Sequence, residues 1–341
     1  MSHSTLNIPH LTLNIEIMPS LKEIKTRIAS VQSTRKITSA MKMVASSKLH
    51  HAQTAIQNML PYETLLEHIL KSFLVSMPDA AEGDLTQERK EIKNVALVVY
   101  SSNSSLCGGY NNNVIRKMQQ AIDGYKAQGI NNITIYPIGR KVEEKVRKLG
   151  FTPAGDFVAL ADKPNAADCR SIAEELISKY SKHELDKVEL IYHHFKSAGS
   201  QVLTRRDFLP LDLSTENIGA YNDRDLSSNL VTAKAQEYLR KKGRLTQRQE
   251  TEAKPLNDDF IVEPDLKTVL SALVPKALDL MVYTALLDSN ASAHAARMVA
   301  MQTATDNADE LLKELNLQYN KSRQAAITSE LLDIVGGSAN N

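Results

Sequence analysis

Apolar and polar positions follow a helical rhythm at both ends of the chain and a different one in the middle. From Ser20 to about Val75 apolar residues recur at Ile24, Ile28 and Val31, then at Ile37, Met41 and Val44. The series Ala45, Leu49, Ala52, Ile56, Met59 continues with alternating spacings of four and three, the signature of a coiled-coil seam. Ser20 ahead of Leu21-Lys22-Glu23 predicts a helix N-cap, with Glu23 at the capping-box position. Pro61 is expected to kink or interrupt this helix rather than end it.

The middle reads as alternating strands and helices. Asn94–Tyr100 is a short continuous apolar run, as in a strand buried on both faces. A Ser/Asn/Gly loop follows, then a helical stretch through Met118 to Tyr125 and a second apolar run at Ile133–Ile138. Helical patterns return at Lys141–Leu149 and Asp168–Tyr180, and Val188–Phe195 and Gln201–Phe208 read as two more strands. This alternation predicts an α/β layer domain over 90–212. Residues 213–261 are polar and charge-rich, and are expected to form a surface insertion with a solvated helix.

The last helix is predicted to open at Glu263-Pro264-Asp265, with Pro264 in its first turn, and no glycine occurs between Gly243 and Gly336. Its seam runs Leu273, Ala277, Leu280, Thr284, Leu287, Ala291, His294, Met298, Met301, Thr305, Ala308, Leu312, Leu315, with a kink expected at Pro275. A lone helix cannot bury its own stripe, so the N-terminal helix is the expected partner, with Leu280 and Leu287 buried between them. The fold class is therefore α/β: a long antiparallel coiled coil of N- and C-terminal helices (18–75 and 262–341) with an inserted, Rossmann-like α/β domain.

Composition narrows the function. Lys+Arg 41 against Asp+Glu 40 leaves a net charge of +1, which argues against a general nucleic-acid binder. The basic run Arg240-Lys241-Lys242 with Arg244 has no interleaved aromatics, so a solvated face is preferred to a nucleic-acid patch. Aromatic content is 5% and Trp is absent, which suits long helices packed with Ala, Leu, Ile and Met. Cys107 and Cys169 stand in no metal-ligand spacing and read as reduced thiols. No apolar run is expected to cross a bilayer. Residues 1–17 lack the features of a secretory signal or a transit peptide and read as a disordered or weakly β-forming extension, with Met18 a candidate start.

Candidate chemistry is sparse. No Gly is followed by Lys, so the Walker A loop is absent, and no GxGxxG follows the first strand. Gly108-Gly109 before a helix invites an anion, but a tight strand-to-helix turn is the preferred reading. His50-His51 and His193-His194 are adjacent in sequence and cannot both face one metal from a regular element. No catalytic residue, metal or cofactor is expected. The first helix carries Lys22, Lys25, Arg27, Arg35, Lys36, Lys42 and Lys48 with no acid between Glu23 and Glu63, a basic face that is either simply solvated or a partner surface.

Three stretches carry a family resemblance. They are Ile28-Ala29-Ser30-Val31-Gln32-Ser33-Thr34-Arg35-Lys36-Ile37-Thr38-Ser39-Ala40-Met41-Lys42-Met43-Val44-Ala45, the loop Ser101–Asn111, and Ala296–Ala308 continuing through Leu317–Leu331 to Ile334-Val335-Gly336-Gly337. In order and position they resemble the gamma subunit of F-type ATP synthases, here of the bacterial kind, from Met18 onward and apart from the 213–261 insertion.

The resemblance implies a non-catalytic rotary shaft. It would couple proton or sodium flow through a membrane c-ring to ATP synthesis in a hexamer of alpha and beta subunits. Epsilon and delta subunits would share the complex, one copy of this chain would serve each complex, and it would sit peripherally on the cytoplasmic face of the inner membrane. It implies that Arg35, Lys36, Met41 and Lys42 meet acidic loops of the catalytic ring. It implies too that Arg323, Gln324, Thr328 and Glu330 bond to a catalytic-subunit loop, and that the Ser101–Asn111 loop lies near the foot of the shaft. The chain departs from the family at Asn103 and Ser105, where Asp and Gly are usual, and at Ala293, where an acid is usual. Chloroplast members carry a cysteine pair in an insertion that acts as a redox switch; the insertion here has no cysteine, so no such switch is expected. The rival readings are a nucleotide- or sugar-phosphate-binding enzyme built on the α/β domain, and a static coiled-coil scaffold that pairs with itself.

Overall fold

The computed structural model describes residues 20–76, 85–212, 224, 226, 262–263 and 265–338. The 1–17 extension, Pro264, and the 213–261 stretch apart from Arg224 and Leu226 lie outside the described residues. The elements are α1 (Leu21–Ser76), β1 (Asn94–Tyr100), α2 (Tyr110–Ala127), β2 (Asn132–Ile138), α3 (Arg140–Lys148), α4 (Ala166–Ser181), β3 (Lys187–Ser197), β4 (Ser200–Leu209) and α5 (Leu266–Ser338), with a 3-10 turn at Ala159–Ala161. The Glu23 amide donates to Ser20 Oγ (3.3 Å), which caps α1 as its sequence predicts. α5 starts later than its sequence suggested: Asp265 is the cap, accepting from the Thr268 amide (2.8 Å) and hydroxyl (2.7 Å). Both helices run through their prolines, Pro61 and Pro275.

Packing divides the described residues into two units, those within 1–39 and 303–341, and those within 40–302. In the first, the start of α1 lies antiparallel to the end of α5. Ile24 is buried on α1, and Ala308 and Leu315 are buried on α5. Ile37 is one of the recurring apolar residues of the helical pattern, but it is 57% exposed and Thr38 is the buried residue. Thr38 Oγ1 lies 2.9 Å from Thr305 Oγ1, and Arg35 pairs with Asp309. Counting on from Val31 in heptad steps gives Arg35 and then Thr38; Ile37 is about 100° round the helix from Thr38. Register along the whole helix overrides the hydrophobicity of one side chain.

In the second unit the sheet order is β2-β1-β3-β4, with β1 parallel to β2 and β3, and β4 returning antiparallel to β3. Side chains alternate across β1 with the two-residue period of a strand. Val95, Leu97 and Val99 meet Val114, Met118 and Ile122 of α2 and Val142 and Val146 of α3. Ala96, Val98 and Tyr100 meet Ile172 and Leu176 of α4 and Leu278, Val282 and Leu286 of α5. Both faces are covered, which is why β1 reads as an unbroken apolar run. Gly139 ends β2 with φ +101, and a Cβ there would stand 2.3 Å from the Ser101 carbonyl oxygen, so only glycine lets the two strand ends approach.

α5 buries two faces in this unit. Leu287 and Ala291 pack on Leu49, Ala52 and Ile56 of α1, as the seam predicted, and Ala295 joins them from a position next to the expected His294. Leu278, Val282 and Ala285 pack on the sheet domain, which the seam did not predict. Tyr100 reinforces that second face, its hydroxyl donating to the Val282 carbonyl at 3.1 Å. One consequence corrects the sequence analysis: α5 contains an 18-residue window long and apolar enough, by composition, to cross a bilayer. A second correction concerns Leu280, which is only half-buried and lines a groove with Leu66, Leu70 and Met281. On α1 the seam residues Ala45, Leu49, Ala52 and Ile56 are buried, whereas the apolar Val44 beside them is 58% exposed.

Candidate functional site

The Ser101–Asn111 loop is fastened to itself and to α5. The Ser102 amide donates to Asn111 Oδ1 (3.1 Å), and Asn111 Nδ2 donates to Ser102 Oγ (3.0 Å) and to Cys107 Sγ (3.1 Å). Tyr110 opens α2, lies within hydrogen-bond reach of Ser289 Oγ (2.6 Å) and donates to its carbonyl (2.9 Å). Arg297 reaches over to donate to Ser104 Oγ (2.7 Å). Cys107 and Tyr110 pack against Ala293, so the loop covers this small residue of α5. Leu106 adopts φ +65 and is 58% exposed at the loop tip.

Asn103 also explains itself. Its Nδ2 donates to Asp162 Oδ2 (2.7 Å) and to the Val158 carbonyl (2.8 Å), and its Oδ1 accepts from the Arg140 amide (2.8 Å). An aspartate would lose both donated bonds and face the Asp162 carboxylate. The loop is a braced strand-to-helix turn, with its polar side chains turned on one another.

The residues expected to touch partners are not gathered into one pocket. Arg35 is about half-exposed with its guanidinium on Asp309, and Lys36 is exposed. In the other unit Met41 and Lys42 are half-buried, and Met43 is 66% exposed. Arg323, Gln324, Thr328 and Glu330 are all exposed, and the only hydrogen bond described among them is from Thr328 Oγ1 to the Gln324 carbonyl (2.9 Å). Around them Ile327, Leu331, Leu332, Ile334 and Val335 are exposed apolar side chains. Antiparallel pairing at 35–309 and 38–305 brings the start of α1 level with about residue 323. The last turns of α5 therefore have no stretch of α1 beside them.

Two buried charge networks escaped the sequence analysis. Glu189 of β3 is held by Arg205 of β4 (2.7 and 2.8 Å) and by the Tyr125 hydroxyl (2.6 Å). Burial acts to raise the Glu189 carboxyl, but the Arg205 and Tyr125 bonds outweigh it and hold it below the usual range. In the second network Arg224 donates to Glu63 of α1 (2.8 Å) and to both oxygens of Asp288 of α5 (2.8 and 3.0 Å). His194 Nδ1 stands 2.7 Å from the same carboxylate. Arg224 and His194 are each 4% exposed at the side chain, and Asp288 1%. Burial opposes the Arg224 charge, but Asp288 and Glu63 more than restore it.

The two adjacent histidines thus part company. His194 belongs to this network, whereas His193 is buried, stacks on Tyr110 at 4.4 Å and has its imidazole lowered to about 4 by that burial. Among the described residues no three His, Cys, Asp or Glu side chains are placed to hold a metal ion. What the arrangement offers chemically is structural charge pairing and exposed contact surface.

A family model described as ATP synthase matches residues 20–340. The ATP synthase gamma chain of Phocaeicola vulgatus is 51% identical over 321 residues, covering 94% of this chain and 99% of the relative. That of Bacteroides fragilis is 50% identical with the same coverage, and that of Flavobacterium johnsoniae is 39% identical, covering 94% and 98%. Among solved structures, a chain of the Euglena gracilis mitochondrial ATP synthase (OSCP/F1/c-ring, rotational state 3) superposes with TM-score 0.57 at 19% identity, covering 94% and 93%. A chain of the rotor of the same enzyme superposes with TM-score 0.53 at 16% identity, covering 90% and 98%. These structural likenesses bear on the fold alone.

Proposed function

The chain belongs to the ATP synthase gamma-chain family, and we propose from that premise that it is the central rotary shaft of an F-type ATP synthase. It couples ion flow through a membrane ring to ATP synthesis in a hexamer of alpha and beta subunits. The observation that carries the proposal is the family match over 20–340 joined to an antiparallel helix pair whose α5 end outruns α1 and keeps its apolar and polar side chains exposed.

Residues 18–75 and 262–341 act as the shaft and 90–212 as the foot that rides on the c-ring, with the epsilon subunit beside it. The delta subunit belongs to the same complex. The chain has no catalytic site of its own, serves as a single copy, and works on the cytoplasmic face of the bacterial inner membrane. Arg35, Lys36, Met41 and Lys42 form a cationic surface facing acidic loops of the beta subunits; Arg323, Gln324, Thr328 and Glu330 bond to a catalytic-subunit loop. The two surfaces supply what coupling requires: contacts that differ with shaft angle, so that each angle favours a different conformation of the catalytic subunits. Coulomb attraction falls off gently with distance, so a basic surface can pull on acidic loops without a fixed lock.

Met41→Lys tests the coupling surface. The added charge beside Lys42 creates an attraction that every turn must break, worth on the order of 1 kcal/mol at such a half-exposed position. ATP hydrolysis and ATP-driven proton pumping are measured on the same membranes. The expected result is a complex that assembles and hydrolyses ATP but pumps fewer ions per ATP. Unchanged pumping per ATP, with expression confirmed, refutes the assignment.

A further inference from the structure

Arg224 lies in the polar stretch that sequence analysis treated as a surface insertion, yet its side chain is 4% exposed. It is the counter-ion of two carboxylates on two different long helices, Glu63 on α1 and Asp288 on α5. Asp288 Oδ2 also takes His194 of β3, and the carboxylate can only accept, so His194 Nδ1 carries the proton of that bond. One guanidinium therefore ties together α1, α5 and, through Asp288, the sheet. Two residues on, Leu226 packs against the cluster formed by Leu49, Ile56, Phe195 and Leu287, which draws on the same three elements.

The chemistry fits a clasp. Guanidinium presents its donors in a rigid planar fork and stays charged when buried, so it can hold two carboxylates at fixed angles. Without it, Glu63 and Asp288 would be left close together and shielded from water, a costly arrangement that would drive α1 and α5 apart.

We propose that Arg224 is a positioning residue that clasps α1, α5 and β3 into one body, so that torque applied to the sheet domain reaches the paired helices without slip. The mechanical part rests on the rotary reading above. It gives the stretch after β4 a function: that stretch supplies the residue that closes the junction.

The test uses the assembled complex in membranes. Three variants are compared with the unaltered protein: Arg224→Met, Arg224→Lys, and the triple Arg224→Met/Glu63→Gln/Asp288→Asn, which removes all three charges together. Amide hydrogen exchange is read in α1 around Glu63 and in β3 around His194, and ions pumped per ATP are read alongside. Arg224→Met is expected to speed exchange in both segments by about tenfold or more and to lower pumping per ATP. Arg224→Lys, which keeps charge but loses the fork, is expected to fall between. The triple variant is expected to restore both readouts.

Native exchange in Arg224→Met overturns the clasp. So does a triple variant no better than Arg224→Met, since the role would then be packing and not charge. If Arg224→Met fails to assemble, the triple decides alone: assembly with near-native exchange supports the clasp, and failure overturns it. Faster exchange with unchanged pumping per ATP overturns the mechanical role, and leaves the rotary reading to its own test at Met41.

Discussion

Leu287→Ala and Leu280→Ala were equivalent by sequence, since both lie on one heptad stripe of α5, and the structure separates them. Leu287 is 3% exposed and is enclosed by Leu49, Ala52 and Ile56 of α1, Phe195 of β3 and Ala291 of its own helix. Truncation removes three methylene-scale groups, worth about 2 kcal/mol in transfer alone. The cavity adds to this, because alanines line part of the site and have no side chain to swing into the space. The expected cost is in the upper part of the range for buried leucines, about 3–5 kcal/mol. Leu280 lines a groove and keeps part of its surface in water, so the same change is expected to cost about 1 kcal/mol. For a chain of this size each kcal/mol moves the melting temperature by about 2 °C. Leu287→Ala should therefore melt roughly 6–10 °C below the unaltered chain, and Leu280→Ala about 2 °C below it. Thermal unfolding followed by far-UV circular dichroism reads both. Equal losses, or a larger loss at Leu280, would refute the packing argument.

Other outcomes follow from single sites. Asn103→Asp should destabilise the loop by about 1–2 kcal/mol, and adding Asp162→Asn should recover most of it, checked by the denaturant midpoints of the single and double variants. Burial lowers His193 from 6.5 to about 4, so the unfolded chain binds the extra proton first. The stability this gives is complete above pH 6.5 and is lost as pH falls toward about 4; His193→Phe should flatten part of that slope, though His294, also lowered to about 4, will keep some of it. ATPase activity of the assembled complex should be unchanged by a dithiol, because both cysteines are buried in the sheet domain and burial pushes the Cys169 thiol up to about 12; several-fold activation would contradict this.

The sequence by itself determined the elements and the family. Helix and strand periods are local properties, so a stretch such as Ala45–Met59 or Asn94–Tyr100 declares its type without reference to the rest of the chain. The seam residues Leu287, Ala291 and Ala308 were legible for the same reason. Thr38 was not, because a threonine beside an isoleucine looks like the wrong choice until the register of the opposing helix is known. The second buried face of α5 was hidden as well: an apolar residue off the seam looks the same whether water or a sheet lies against it. The Arg224 network was furthest from view. Glu63 and Arg224 are 161 positions apart and His194 and Asp288 are 94 apart, so no window of sequence contains either pair. A charged residue in a polar stretch reads as solvated, and whether it is buried depends on which other charges the fold brings to it. Only the tertiary structure could supply that, because burying an ion is tolerable only where its partners have already been placed.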